Sequence, residues 1–269
     1  MTEAEVSTMD GSQGEIAVYR WRHPRATHRV LLVHGYGEHL GRYDHVAAAL
    51  GANGAEVIGP DHLGHGRSAG ERVLVHSFDD VLADLRAVAG RAGTDLPVVL
   101  VGHSLGGMIA ARYAQLHGDE LTCVVLSGPV LGSWAPVALA DGEIPDEPLD
   151  VTTLSRDPAV GERYAADPLI WHGPFKRDTL RAIGRCLDEI NAGPRLTPPL
   201  LWLHGEDDQL VPIGPSRTGI DRVRGERYEQ VTYPGARHEI FNETNNAAVL
   251  ADATGFIAAA LGRPGMMRA

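Results

Sequence analysis

The chain has 269 residues, 43% of them hydrophobic, which is enough for one α/β domain with an insertion or for two small domains. Its formal net charge of −11 argues against nucleic acid as a partner and against electrostatic docking on anionic lipid. Two cysteines are too few for a disulfide framework, and neither a secretory signal nor an apolar run of membrane-spanning length is visible. We therefore expect a cytoplasmic, soluble protein without an integral membrane segment.

In the first half of the chain, the pattern of apolar residues predicts strands that alternate with helices. Strands are predicted at residues 15–21, 30–33, 57–58, 98–101 and 122–126, and helices near residues 46–50 and 78–88. The first strand alternates apolar and polar side chains, so we expect it to be half-exposed and paired with residues near the N-terminus. Ser77 and Asp80 are spaced as a capping box for the second helix. Alternation of this kind favours a mostly parallel sheet with helices on both faces.

A candidate nucleophile follows the strand at residues 98–101. Residues 102–106 read Gly-His-Ser-Leu-Gly and fit the pattern Gly-x-Ser-x-Gly, with a helical pattern directly after them. Strand, tight turn and helix are the context of a nucleophile elbow, which would hold the hydroxyl of Ser104 at the mouth of the sheet. A second match at residues 66–70 lies in a turn-rich segment without a following helix, so we interpret Ser68 as a turn residue.

The alternation of strands and helices stops at residues 127–129. Residues 130–195 hold seven of the 17 prolines, with weak helical stretches such as residues 177–190. We interpret this segment as a cap inserted between two core strands, with residues 1–129 and 196–269 forming the core. The apolar start of the cap is expected to pack against the core, to cover an acyl site, or to do both.

The alternation resumes with strands predicted at residues 199–204 and 228–233 and a last helix over residues 246–261. A catalytic serine needs a base and an orienting acid. The turn after the first of these strands offers Glu206, Asp207 and Asp208 as acids, and a glycine-containing loop after the second carries His238. Serine, acid and histidine therefore occur in the chain order of α/β-hydrolases.

Several further segments resemble the monoacylglycerol lipase and lysophospholipase group of α/β-hydrolases. Residues 34–39 (His-Gly-Tyr-Gly-Glu-His), together with residues 41–43, look like the first signature of that group, and residues 61–68 are similar to the second. Residues 154–158 and 167–169 resemble its cap. The similarity runs from about residue 14 to residue 262. It implies an α/β-hydrolase fold with an inserted cap and a serine hydrolase of carboxylic esters, above all of monoacylglycerols.

The resemblance also implies roles for individual residues. Ser104 would be the nucleophile and His238 the base, and Asp208 stands at the aspartate of the pattern Gly-x-x-Asp-x-x-Val-Pro found in many relatives. The backbone N–H groups of Leu105 and Tyr36 would bind the oxyanion. The partner is then a small-molecule ester, and no cofactor is needed.

Thirteen histidines suggest a metal site, but the sequence argues against one. The pairs His34 with His39 and His62 with His65 lie in glycine turns, without the thiolate partners or the helical context of metal ligands. We expect them to satisfy backbone groups of those turns. His103 is expected to pack beneath the nucleophile, and His204 and His172 to be structural.

Other functions stay open at this stage. A carboxylesterase for other monoesters, for example of aromatic acids, or a lactonase would use the same three residues, and a ligand-binding relative without turnover would keep the fold. Tyr36 is larger than the residue that often follows His-Gly in the group, and residues 134–150 match no known pattern of it. Both features could reshape the pocket. Weak peripheral contact with a membrane through the cap also stays open.

Overall fold

The computed structural model describes residues 3–93 and 95–262, which form one eight-stranded sheet with helices on both faces. The strands are β1 (Glu5–Gly11), β2 (Gly14–Trp21), β3 (His28–Val33), β4 (Ala55–Pro60), β5 (Val98–His103), β6 (Cys123–Ser127), β7 (Leu200–Gly205) and β8 (Tyr228–Tyr233). Their spatial order is β1-β2-β4-β3-β5-β6-β7-β8. β2 runs antiparallel to both β1 and β4. The other six strands, β3 to β8, run parallel to one another. The predicted mostly parallel sheet is confirmed, and so is the pairing of residues 15–21 with a strand near the N-terminus. The expectation that residues 15–21 are half-exposed is wrong: five of the seven are buried, because the strand also pairs with β4.

Helices cover both faces of this sheet. They are α1 (Asp44–Ala52), α2 (Phe78–Arg91), α3 (Leu105–His117), α4 (Pro158–Ala166), α5 (Arg177–Ala192), α6 (Ile213–Val223) and α7 (Asn246–Ala260). The apolar side chains of α2, α3, α5 and α6 share one core cluster with one face of the sheet, and those of α1 and α7 share a second cluster with the other face. β3 is buried at all six positions, as expected of a central parallel strand. In the described ranges, no helix has the length and hydropathy to cross a membrane.

The start of α2 has the predicted N-cap at Ser77 but not the predicted return contact from Asp80. Ser77 is the N-cap, and its hydroxyl oxygen accepts a hydrogen bond from the N–H of Asp79 at 3.1 Å. The Asp80 carboxylate lies 3.4 Å from the side-chain nitrogen of Gln13 instead. The predicted capping box is therefore wrong in its second half, because an aspartate is one methylene shorter than the glutamate that reaches back to the N-cap.

The segment between β6 and β7 contains two structural parts. Its first part holds short 3₁₀ turns at Ala135–Asp141 and Val151–Thr153 and the helix α4, which has a small apolar cluster of its own. Its second part is α5, whose Ile183 and Leu187 belong to the main core beside α3. The division into a core (1–129 and 196–269) and a cap (130–195) stays a prediction, but α5 packs as a core helix.

Candidate active site

Ser104 occupies the turn between β5 and α3 in a strained backbone conformation. Its φ of 56° and ψ of −120° lie in a region that costs a non-glycine residue about 1–3 kcal/mol. The surrounding backbone holds this conformation: the Ser104 N–H donates to the carbonyl of Ser127 at 2.9 Å, and its carbonyl accepts from the N–H of Val130 at 3.1 Å. The hydroxyl is thereby held at the end of β5, where a nucleophile elbow presents it.

Glycines two residues before and after Ser104 are required by close backbone packing. A Cβ on Gly102 would collide with the carbonyl oxygen of Gly106, and a Cβ on Gly106 would collide with the carbonyl oxygens of Val33 and His34. The start of α3 therefore lies directly against the ends of β3 and β5. The spacing of the Gly-x-Ser-x-Gly pattern is a packing requirement of this fold.

The structure brings the three residues predicted for proton transfer into one hydrogen-bonded chain. The Ser104 Oγ lies 2.9 Å from Nε2 of His238, and Nδ1 of His238 lies 2.7 Å from Oδ2 of Asp208. Because a carboxylate only accepts, Nδ1 carries the proton and Nε2 can accept from the serine hydroxyl. Each residue follows a different parallel strand, β5, β7 or β8, so all three meet at one edge of the sheet.

The structure distinguishes Asp208 from the neighbouring carboxylates. Its side chain is fully buried, and its Oδ1 accepts hydrogen bonds from the N–H groups of Leu210 at 3.0 Å and Val211 at 2.9 Å. Glu206 and Asp207 are exposed at the surface. Of the three acids in this turn, Asp208 alone contacts His238 among the hydrogen bonds of the described residues.

The pair His238–Asp208 has shifted protonation equilibria. Burial lowers the pKa of His238, but the charge and hydrogen bond of Asp208, together with the charges of Glu239 and Glu38, raise that pKa above its ordinary value. Burial raises the pKa of Asp208, but the charge and hydrogen bond of His238, together with His204 and the Val211 N–H, hold that pKa below its ordinary range. The carboxylate is thus ionised at neutral pH, and the imidazole is a stronger base than a free histidine.

Three histidines that were expected to be structural have hydrogen-bond partners other than Ser104, His238 and Asp208. His103 is buried, its Nδ1 lies 3.0 Å from Oγ of Ser127, and burial lowers its pKa to about 4, so it is neutral. In His204, Nδ1 accepts from the indole of Trp202 at 3.1 Å and Nε2 lies 2.8 Å from the carbonyl of Val211. The exposed His172 lies 3.2 Å from a backbone carbonyl of the insertion. These contacts fit the structural roles expected from the sequence.

The loop after β3 passes close to Ser104. A Cβ on Gly35 would lie 3.1 Å from the Cβ and 3.5 Å from the Oγ of Ser104, so the backbone at Gly35 borders the hydroxyl. On the other side, Leu105 is the first residue of α3, where backbone N–H groups have no acceptor within the helix and the helix dipole is positive. Leu105 and Tyr36 directly follow Ser104 and Gly35 in the chain, and their role as oxyanion donors stays a prediction.

A buried ion network joins this loop to the loop of His238. Glu38 accepts hydrogen bonds through Oε1 from the Gly35 N–H at 2.7 Å and from the Tyr43 hydroxyl at 2.6 Å. Arg42 donates to Oε2 of Glu38 at 2.5 Å and to both oxygens of Glu239 at 2.7 and 2.8 Å. In the sequence, Glu38 and Arg42 were recognised only as part of the first signature, and no role was predicted for either. Glu239 was missed, although a charged residue directly after the candidate base was a signal.

The insertion contacts both loops. The Trp171 N–H donates to the carbonyl of Gly37 at 2.8 Å, and Nε2 of His39 lies 2.9 Å from Oδ2 of Asp167. On the other side, the N–H of Glu239 donates to a backbone carbonyl of the insertion at 2.8 Å. The segments that resemble the cap of the lipase group thus lie directly on the loops around Ser104.

An aromatic cluster lies between the insertion and the loop after β3. The ring of Tyr36 is 4.9 Å from that of Phe175, which is 5.5 Å from that of Trp134. The indole N–H of Trp134 donates to the carbonyl of Leu210 at 2.8 Å, which fixes the cluster to the turn of Asp208. Tyr36 and the first residue of segment 134–150, the two features that depart from the lipase group, therefore belong to the same cluster.

The histidine pairs and the second serine have other partners. The imidazoles of His34, His62 and His65 each lie within hydrogen-bond distance of a backbone carbonyl, at 2.8, 3.1 and 3.1 Å, as expected for turn residues. Across residues 3–93 and 95–262, no group of three or more histidine, cysteine or acidic residues is arranged to hold a metal ion. Ser68 donates to the carbonyl of Asp61 at 2.6 Å, which fits a turn residue.

Known proteins resemble this chain over most of its length. Residues 23–245 match the family described as serine aminopeptidase, S33. The chain is 40% identical to a monoacylglycerol lipase of Mycolicibacterium smegmatis, over 85% of this chain and 87% of that protein, and 32% identical to a monoglyceride lipase of Rattus norvegicus, over 86% and 82%. The crystal structure of a monoacylglycerol lipase of Paleococcus ferrophilus has a TM-score of 0.81 at 28% identity, over 91% of this chain and 99% of that one. The chain therefore belongs to the serine aminopeptidase S33 family and has the α/β-hydrolase fold.

Proposed function

We propose that this protein is a carboxylic ester hydrolase that cleaves monoacylglycerols through an acyl-enzyme on Ser104. The observation that carries the proposal is the chain of hydrogen bonds from Ser104 through His238 to Asp208, at 2.9 and 2.7 Å. The names of the relatives at 40% and 32% identity, a monoacylglycerol lipase and a monoglyceride lipase, support the substrate class.

In the first half of the proposed reaction, Ser104 Oγ forms a bond to the ester carbonyl carbon while His238 Nε2 takes the hydroxyl proton. Asp208 keeps the proton of the free imidazole on Nδ1 and stabilises the imidazolium. The bond from the carbonyl carbon to the glycerol oxygen then breaks, and the imidazolium gives its proton to that oxygen. In the second half, a water molecule gives a proton to His238 and attacks the acyl carbon; the bond from that carbon to Ser104 Oγ breaks, the imidazolium returns the proton to Oγ, and the fatty acid is released.

The oxyanion of each tetrahedral intermediate is assigned to the N–H groups of Tyr36 and Leu105. Loss of one such donor costs about 3 kcal/mol of transition-state stabilisation. Nucleophile, base and oxyanion donors are then all supplied by the chain, so the proposed reaction uses no cofactor.

The insertion is assigned to binding of the acyl chain. Its apolar start leads to Trp134, which lies at the cluster beside the candidate oxyanion loop. The following stretch, residues 141–150, carries five exposed carboxylates and no basic residue, so it does not favour an anionic lipid surface. We therefore expect the enzyme to act on dispersed or weakly membrane-associated monoesters, with at most weak peripheral membrane contact through the cap. As in the sequence analysis, we expect it to be cytoplasmic.

A second candidate, hydrolysis of monoesters of aromatic acids, is favoured by the cluster of Tyr36, Phe175 and Trp134. Offset and edge-on aromatic pairs contribute about 0.5–1.5 kcal/mol beyond apolar burial, so such a wall would select a planar acyl group. The mechanism at Ser104 would be unchanged.

Two measurements test these proposals. A fluorophosphonate should label the wild type and Ser68→Ala stoichiometrically and should leave Ser104→Ala unlabelled; labelling that survives in Ser104→Ala would refute the acyl-enzyme assignment. A panel of monoacylglycerols of increasing chain length, triacylglycerols and aromatic monoesters then decides the substrate. We expect an optimum chain length among monoacylglycerols, because each methylene in a fitted channel changes discrimination by about 1–3 kcal/mol. Negligible turnover of every monoacylglycerol with good turnover of an aromatic ester would favour the second candidate.

A further inference from the structure

Glu239 directly follows the candidate base in the chain, and its side chain pairs with Arg42. Its two carboxylate oxygens accept from both terminal nitrogens of Arg42 at 2.7 and 2.8 Å, which is the bidentate geometry of the strongest arginine pairs. The carboxylate is only 5% exposed and the guanidinium 12%. This contact is therefore a buried, geometrically specific ion pair.

Arg42 continues the connection to the other side of the serine. It donates to Glu38, whose second oxygen binds the N–H of Gly35, the residue whose backbone borders Ser104. An unbroken path of hydrogen bonds thus runs from Glu239, beside His238, to the loop that carries the Tyr36 N–H. Buried ion pairs add little to stability compared with apolar residues of similar volume, because desolvation offsets their attraction. Stability alone does not explain this network.

We propose that Glu239 is a positioning residue for the reaction: through Arg42 and Glu38 it fixes the oxyanion loop relative to His238, and its charge favours the imidazolium formed on His238. This inference rests on the function proposed above. The network holds two carboxylates and one guanidinium, so it leaves one net negative charge in the buried region. The charges of Glu239 and Glu38 both raise the pKa of His238, so the network favours the ring that becomes positive in the transition state.

Three other titratable groups lie around His238, namely Asp208, His103 and His204. Asp208 contacts Nδ1 of the ring at 2.7 Å. His103 packs against the ring with centroids 4.8 Å apart, and burial lowers its pKa to about 4; burial also lowers the pKa of His204, which lies beyond Asp208. Both are neutral at pH 7. Removing the charge of Glu239 would leave Glu38 and Arg42 as a neutral pair, so the pKa of His238 should fall.

The test compares Glu239→Gln and Glu239→Asp with the wild type and with Glu226→Gln, which changes an exposed glutamate. The kinetic parameters kcat and KM for 4-nitrophenyl butyrate are measured from about pH 5 to 9, with the concentration of active sites determined by fluorophosphonate titration. For Glu239→Gln we expect kcat to fall by about 10- to 100-fold with KM within about threefold, because small displacements of oriented groups slow the chemical step. The acid limb of kcat/KM should also move to lower pH by about half a unit or more.

Glu239→Asp separates geometry from charge. It keeps the carboxylate but is too short for the bidentate contact, so we expect kcat to fall while the acid limb stays near that of the wild type. A Glu239→Gln enzyme with wild-type kcat per titrated site and an unmoved acid limb would overturn the inference, even if less of the protein folds. If Glu239→Gln yields no folded protein, an unchanged kcat in Glu239→Asp overturns it. A wild type that neither reacts with the phosphonate nor cleaves the ester would instead refute the proposed function.

Discussion

Replacing Asp208 with asparagine should invert the hydrogen-bond polarity of the candidate site with little change of shape. Oδ1 of Asp208 accepts from the N–H groups of Leu210 and Val211 at 3.0 and 2.9 Å, so these two donors would hold the amide oxygen of an asparagine at that position. The amide NH₂ would then occupy the place of Oδ2, 2.7 Å from Nδ1 of His238. Since an amide NH₂ only donates, Nδ1 would have to accept, and the ring proton would move to Nε2, which faces Ser104.

The expected result for Asp208→Asn is a loss of about 10⁴-fold in kcat, because the imidazole has no lone pair towards the hydroxyl and the carboxylate that stabilises the imidazolium is gone. Burial lowers the pKa of His238, and the charge and hydrogen bond of Asp208 are the largest of the causes that raise it. Removing the carboxylate should therefore also move the acid limb of the residual activity to lower pH. The assay is monoacylglycerol hydrolysis over a range of pH, with folding checked by thermal denaturation.

Asp207→Asn is the matched control, because Asp207 is exposed in the same turn. It should stay within a few-fold of the wild type. The reasoning is refuted if Asp208→Asn keeps more than about a tenth of the wild-type kcat, or if Asp207→Asn loses as much activity as Asp208→Asn.

Other predictions concern the serine, the pH profile and the elbow. Ser104→Ala should lower the hydrolytic rate by at least about 10³-fold, while Ser68→Ala stays within a few-fold; the reverse result in a rate assay would reassign the elbow. In the wild type, kcat/KM should fall about tenfold per pH unit below the pKa of His238, which lies above its ordinary value because Asp208, Glu239 and Glu38 together outweigh burial; an acid limb below the ordinary histidine value of about 6.5 would contradict this. Gly106→Ala should destabilise the fold by about 1–3 kcal/mol or more in thermal denaturation, since its Cβ meets backbone carbonyls, whereas Gly255→Ala, with open space around its Cβ in α7, should stabilise by about 0.5–1 kcal/mol.

Much of the fold could be predicted because a parallel sheet buries both faces of its strands. β3, β5, β6 and β7 are short apolar runs, and each is followed by glycine or polar residues where the chain leaves the sheet. The candidate residues Ser104, Asp208 and His238 were accessible to the same reasoning, because each lies within a few residues of the end of a predicted strand. Strand ends of one parallel sheet lie at a common edge, so residues far apart in sequence could be expected to meet.

The ion network and the placement of α5 could not be obtained in this way. Arg42 and Glu239 are 197 residues apart, and no local pattern pairs them, because charged residues are ordinarily expected at the surface. α5 carries a clear apolar face, with Ile183 and Leu187 in the core, but it follows a proline-rich segment and was grouped with it. In both cases the deciding information is a tertiary contact, which periodicity and composition do not contain.

The costly features of this structure are concentrated at one edge of the sheet. The strained backbone of Ser104, the fully buried carboxylate of Asp208 and the buried pair of Arg42 and Glu239 each cost folding free energy on their own. The two large apolar clusters on either side of the sheet supply the stability that offsets these costs. A fold selected only for stability has no reason to place strain and desolvated charge together. Their grouping in the loops around Ser104 is what preorganised electrostatic stabilisation of a developing charge requires.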